Sequence, residues 1–212
     1  MLHTLVIGSL AASLMGLPVL ADPVPTTNPP AERITIEVKT VNGSGCRLGT
    51  AAVAAAPDNT AFTVTYSDYL AQAGAGAAPT DFRKNCQLVL QVNVPGGFTY
   101  AIRQADYRGF AHLERGASGM QRASYYIQGT SPTATETHNI PGPLSDNWQT
   151  TDVTDMAELV YAPCGEVRLL NINTELRVNR GTSDPKTTSF MMMDSTDSSV
   201  STTYHFNWMR CD

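Results

Sequence analysis

Charge is what this sequence has least of. Only 16% of its 212 residues are Asp, Glu, Lys or Arg, and the balance is acidic at −5. Phosphate backbones and anionic bilayers are held by a basic field, so neither nucleic acid nor a charged membrane surface is an expected partner. The four cysteines show no CxxC or CxxH spacing, which leaves structural zinc without its usual ligand set. HExxH, HxH and GxSxG are missing as well, so zincin and lipase chemistry have no carrier, and no cofactor is expected. No long segment repeats with the 3.6-residue period of an amphipathic helix, which excludes a helical bundle.

The one strongly apolar stretch is at the N-terminus. Residues 1–21, MLHTLVIGSLAASLMGLPVLA, carry no formally charged side chain, and the apolar run from Leu5 to Leu17 is broken by Pro18. It falls short of the ~20 residues that span a bilayer and has no basic stop-transfer flank. Val19-Leu20-Ala21 offers suitable residues to a signal peptidase, so residues 1–21 are expected to be a secretory signal peptide. Cleavage there gives a mature chain beginning Asp22-Pro23, without the N-terminal His that copper oxygenases use. Residues 22–32, with four prolines, read as an extended leader, and 33–212 as a single domain.

An exported chain meets an oxidising environment, and an even count of four cysteines there favours two disulfides. Three connectivities are open. Cys46–Cys86 with Cys164–Cys211 is the expected pairing, because each pair brackets a stretch that can fold back on itself. Asn42-Gly43-Ser44 is an N-glycosylation sequon.

Period-2 alternation is what the sequence has most of. Ile34, Ile36 and Val38 share one face, as do Phe62, Val64 and Tyr66, and as do Leu88, Leu90, Val92 and Val94. Pro95-Gly96-Gly97 then turns the chain into Phe98, Tyr100 and Ile102, an expected hairpin. Past Arg103 the apolar parity flips to Ala105 and Tyr107, which predicts a bulge or a change of sheet. Further strands are expected over 117–128, 167–178, 187–194 and 200–209. Ser67–Ala73 and Asp152–Leu159 are the best helix candidates, both short. Gly129–Asp146, with His138, reads as a long loop. Gly116-Ala117-Ser118-Gly119 reads as a hairpin turn. The fold class that follows is all-β: an antiparallel β-sandwich, jelly-roll-like, closed by two disulfides.

Chemistry-bearing residues are scattered. Three histidines follow the signal peptide, His112, His138 and His205. Asp68, Asp81, Asp106, Glu114, Glu166, Glu175, Asp194 and Asp197 lie in or beside strands, and a glycosidase needs two such groups facing one another across a pocket. Asp106 with His112 is the alternative Asp–His pair. Asp194-Ser195-Thr196-Asp197 is a polar turn with oxygens that suit a calcium ion, though not at EF-hand spacing.

Arginine outnumbers lysine eleven to three. Arg83, Arg103, Arg108, Arg115, Arg122, Arg168 and Arg177 recur in strand regions, where they pair with acids on neighbouring strands or read an anionic glycan. Tyrosines such as Tyr125 stack on sugar rings if they reach a wet face, and otherwise fill the core. Asp106, Arg108, His112 and Tyr125 are the expected binding residues. Three successive methionines, Met191, Met192 and Met193, must alternate between faces, so one of them is expected to be exposed.

Longer runs carry more specificity than these fragments. They include Val41-Asn-Gly-Ser-Gly-Cys46, Thr80-Asp-Phe-Arg-Lys-Asn-Cys-Gln87 and Ala105-Asp-Tyr-Arg-Gly-Phe-Ala111. Pro163-Cys-Gly-Glu166, Leu170-Asn-Ile-Asn-Thr-Glu-Leu-Arg177 and Ser189-Phe-Met-Met-Met-Asp-Ser-Thr196 follow in order. Across about residues 38–211 the chain resembles the secreted domain-of-unknown-function 4360 family of fungi and actinobacteria. The resemblance implies a secreted single domain containing these four cysteines, and it implies no catalytic residues. The function expected from the residues is a non-enzymatic module that binds glycan or protein at the cell surface. An extracellular carbohydrate hydrolase or lyase, and a small secreted effector or toxin, are the alternatives.

Overall fold

The computed structural model describes residues 25–26, 28–130, 135–193 and 201–211. The expected signal peptide and the Asp194–Asp197 turn lie outside the described residues. The first strands are β1 (Pro25–Thr26), β2 (Thr35–Asn42), β3 (Ala51–Ala55), β4 (Ala61–Tyr66), β5 (Leu70–Gly74), β6 (Arg83–Asn93) and β7 (Phe98–Leu113). They are followed by β8 (Ser118–Ile127), β9 (Glu136–Pro141), β10 (Leu144–Val153), β11 (Leu169–Asn179), β12 (Thr188–Met192) and β13 (Thr202–Arg210). No helix among the described residues is long and apolar enough to cross a membrane.

The strands form two antiparallel sheets. The first runs β3-β4-β13-β7-β12-β5, with β1 added to β13 and β10 to β7; the second runs β2-β6-β11-β8-β9. Alternation explains the layering: in β6, β8 and β11 every second residue is buried, and the buried sets of both sheets meet in one core. Leu88, Leu90, Leu170 and Ile172 from the second sheet face Phe62, Val64, Tyr107 and Tyr204 from the first. The hydroxyls of Tyr69 and Thr174 join the layers directly, 3.0 Å apart in the core.

The parity flip at Arg103 is a bulge. His205 pairs with Gln104 but Phe206 with Ile102, so β7 carries one extra residue against β13 and stays in the first sheet. Other expectations change. Pro95–Gly97 and the turn at Gly116 are not hairpins. Each carries the chain from one sheet to the other, since β6 and β8 belong to the second sheet and β7 to the first. A Gly/Pro signal reports a reversal of direction, and stacked sheets need reversals as much as paired strands do.

Ser67–Ala73 is not helical. Its second half is β5, held in register by β12 from Leu70 to Gly74, and that ladder outweighs a weak local helix preference. Of Asp152–Leu159 only the 3-10 turn Met156–Glu158 forms. The stretch expected as a loop around His138 contains β9 and the start of β10. Val38 is 40% exposed although its partner Leu90 is fully buried: β2 is the edge strand of its sheet, and its register on β6 shifts just after Val38.

Residues 25–32, expected as a leader, touch the first sheet and the loop before β4. Pro25 and Thr26 pair with Met209 and Trp208 on β13, and buried Asn59 donates to the carbonyls of Pro30 and Glu32. Asn59 itself has φ of 58°, a left-handed conformation that Asn tolerates better than most residues. Both expected cross-links are present: Cys46–Cys86 closes 40 residues and Cys164–Cys211 closes 47, the latter fixing the end of β13.

Loops of this length contribute about 4 kcal/mol each by restricting the unfolded chain. Replacing Cys164 and Cys211 together by Ser is expected to lower the urea-unfolding free energy by about that amount. A non-reducing peptide map of the native protein is expected to contain the two cross-linked peptides named here and no mixed pairing.

Candidate functional site

β7 is the longest strand, and it sorts its residues by parity. Ala105, Tyr107, Gly109, Ala111 and Leu113 point into the core, while Gln104, Asp106, Arg108, Phe110 and His112 point outward. Gly109 is required where it stands. A Cβ there would lie 2.0 Å from the Met192 carbonyl oxygen and 2.6 Å from the Trp148 ring, which fills the space a side chain would take.

β10 pairs with β7 along its length and sets Ser145 beside His112, Asn147 beside Phe110, Gln149 beside Arg108 and Thr151 beside Asp106. On the other edge β12 places Phe190 beside His112 and Met192 beside Phe110, and β5 continues the rungs with Gln72 and Leu70. The outcome is a continuous face four strands wide. Across it runs an apolar strip. The His112 and Phe190 rings stack at 5.7 Å with 30° between planes, and Phe110 lies 6.0 Å from Phe190 at 32°. All three are partly exposed, as is Met192, while Met191 and Met193 are fully buried. The methionine triplet alternates as its spacing predicts.

Asp106, Arg108 and His112 therefore share one face, but they do not form one catalytic group. Asp106 and His112 are six residues apart on a strand, about 20 Å at the usual rise. Asp106 instead accepts from Thr151 Oγ1 at 2.7 Å and from Gln104 Nε2 at 3.0 Å, and lies 2.8 Å from His205 Nε2. His112 Nδ1 lies 3.1 Å from Ser145 Oγ. Tyr125 is not on this face. Its parity on β8 turns it into the core, where its ring packs edge-on against Tyr204 and its hydroxyl meets Thr154 Oγ1 at 3.0 Å. The outward tyrosine of that pair is Tyr126.

Two further clusters come from residues that the sequence placed only singly. His138 Nε2 lies 2.6 Å from Oδ1 of Asp152, which is 3% exposed and whose Oδ2 has no hydrogen-bond partner among the described residues. Burial pushes the Asp152 carboxyl above its ordinary pKa despite the histidine. On the outer face of the second sheet, Glu175 sits under Arg83, Arg122 and Arg177. Phe110 and Phe190 were not among the expected binding residues. The available signal was an aromatic residue on the polar parity of a strand; the cross-strand partner needed the register.

The family model described as "Domain of unknown function (DUF4360)" matches residues 32–211. A protein of Arthroderma benhamiae, described as "Uncharacterized secreted protein", is 33% identical over 183 residues, covering 86% of this chain and 74% of that one.

The Asp106 environment has a pH signature. Burial alone would raise its pKa, but donation from Thr151, His205 and Gln104 outweighs burial and holds it below the ordinary value. A carboxyl with a lowered native pKa contributes stability that is complete above its unfolded pKa of about 4 and is lost as the pH falls through the native one. Asp106→Asn is expected to flatten the acid limb of a urea-midpoint-against-pH curve relative to the parent. An unchanged limb would show that the cluster adds nothing to the ionised form.

Proposed function

Since the chain belongs to the DUF4360 family and is a secreted, disulfide-bonded β protein, we propose that it is a non-enzymatic binding module for a neutral polysaccharide at the cell surface. The observation that carries this reading is the partly exposed Phe110–Phe190–His112 strip on a four-stranded sheet face, bordered by the hydrogen-bonding side chains of β10. Sugar rings present C–H faces that pack on aromatic planes and hydroxyls that need donors and acceptors beside them. Phe110 and Phe190 supply the first. Arg108 on the same strand, with Asn147 and Gln149 one strand away, supplies the second.

Charge agrees with a neutral ligand. Asp106 and Arg108 stand on the same face with opposite signs, and the strip itself carries only a histidine. Strands already fixed by two neighbours lose little freedom when a ligand docks, which favours binding through a preformed surface. Export is part of the proposal too: the mature chain begins at Asp22 after removal of residues 1–21.

N-terminal sequencing of the secreted protein is expected to read Asp-Pro-Val-Pro. In pull-downs on cellulose, chitin and xylan, the parent protein is expected to be retained by at least one. Phe110→Ala with Phe190→Ala should weaken that retention roughly tenfold to a hundredfold, the effect of losing two ring contacts. Retention on none of the three, or retention indifferent to the double substitution, contradicts the reading.

A further inference from the structure

The opposite face of the sandwich carries a different kind of surface. Three arginines converge on one carboxylate: Arg122 of β8 pairs in register with Glu175 of β11, Arg177 lies two residues on, and Arg83 of β6, paired with Arg177, reaches Glu175 diagonally. Arg83 donates from Nε to Glu175 Oε2 at 2.7 Å and from Nη2 to the same oxygen, and Arg177 Nε donates to Oε1 at 2.5 Å. Arg122 Nη2 reaches Oε2 only at 3.4 Å. Glu175 is almost fully covered, its side chain 6% exposed, whereas the three guanidinium side chains are 42–45% exposed.

One buried carboxylate neutralises one of three fixed cations, so two positive charges remain on this patch in a chain of net charge −5. The nearby acids do not cancel them. Asp81 is engaged by Lys84 at 2.9 Å, and Glu136 pairs in register with Ala123, one residue out of phase with Arg122 and thus on the other face of β9. The Glu175 carboxyl stays below its usual pKa because the three arginines outweigh its burial, so the central charge is present at neutral pH.

The surface beside the cluster is concave. A depression of about 360 Å³ is lined by Arg83, Arg122 and Glu175 together with Asn85, Ser124 and Asn173. Its walls are thus two cations, the Glu175 carboxylate they cover, and a set of neutral hydrogen-bonding groups. Guanidinium groups match planar or tetrahedral oxyanions through paired N–H donors, and Arg122, loosely held by Glu175, has donors to spare. Amide and hydroxyl side chains next to them suit the hydroxyls of a sugar ring.

We infer that this depression binds an oxyanion-bearing unit of an acidic polysaccharide, with Arg122 and Arg83 holding the anion and Asn85, Ser124 and Asn173 the adjoining sugar. Glu175 is the pedestal: it holds Arg83 in place through close hydrogen bonds, draws Arg122 in at longer range, and does not bind the anion. The site is independent of the aromatic strip on the first sheet, uses different residues, and answers to a different class of polymer.

Affinity electrophoresis of the native protein in gels containing polygalacturonate, dextran sulfate or unmodified dextran tests this. Retardation by polygalacturonate identifies a carboxylate as the anion and retardation by dextran sulfate identifies a sulfate; either is to be suppressed by salt, with no retardation in dextran. Arg122→Gln, which leaves Glu175 paired with Arg83 and Arg177, is expected to weaken binding at least tenfold without moving the melting temperature. Arg83→Gln should weaken it likewise, while Arg210→Gln on the first sheet should bind as the parent does. Absence of retardation by both acidic polymers overturns the inference. So does equal retardation in unmodified dextran, or binding that survives both substitutions.

Discussion

The pleat of β7 is the constraint on which the rest of this structure depends. Sixteen residues run without interruption, with β13 and β12 sharing one edge and β10 on the other. Because neighbours alternate from Gln104 onward, the same strand supplies Tyr107, Ala111 and Leu113 to the core and Asp106, Arg108, Phe110 and His112 to the outer face. The extra residue at Arg103 resets that phase once. Without it the outward set would face inward, placing a carboxylate and a guanidinium among tyrosines, where burial of charge costs far more than a sheet ladder returns.

The interior that β7 borders is aromatic and partly polar. Phe62 stacks on Tyr204 at 4.9 Å, and Tyr66, Tyr69, Tyr107 and Tyr125 fill the space around them. The hydroxyls of Tyr66, Tyr107 and Tyr204 have no hydrogen-bond partner among the described residues, and burial raises the pKa of each. Unsatisfied hydroxyls cost of the order of 1–3 kcal/mol each. A domain with such an interior gains from cross-links that act on the unfolded chain, and the two disulfides do that at both ends of the sandwich. Rigidity is then available to the outer faces, whose side chains are positioned by strands and not by loops.

Much of this was legible in the sequence, and what was not shares a physical cause. Alternation in Leu88–Val94 and Leu170–Val178 gave the strands, because a one-sided core writes period 2 into every strand that borders it. The cysteine pairing followed from bracketing, and the bulge from a parity flip. Register, by contrast, is a relation between distant segments. Nothing local says that Phe190 lies beside His112, that Arg122 lies beside Glu175, or that Asp106 finds His205 and not His112. Local signals also do not tell which partner a turn leads to, so Pro95–Gly97 reads as a hairpin and acts as a crossing between sheets. Tyr125 and Tyr126 show the limit at its narrowest: two adjacent tyrosines, one core and one surface, separated only by the phase of β8.

The three successive methionines provide the most direct measurement of the central claim, that the outward face of β7 and β12 is the binding surface. Their methyl resonances can be followed by NMR while a soluble oligosaccharide of the retained polymer is added. The account predicts that the Met192 methyl, beside Phe110, shifts on titration, while Met191 and Met193, buried under the same sheet, stay in place. Saturable binding with Met192 unmoved would contradict it.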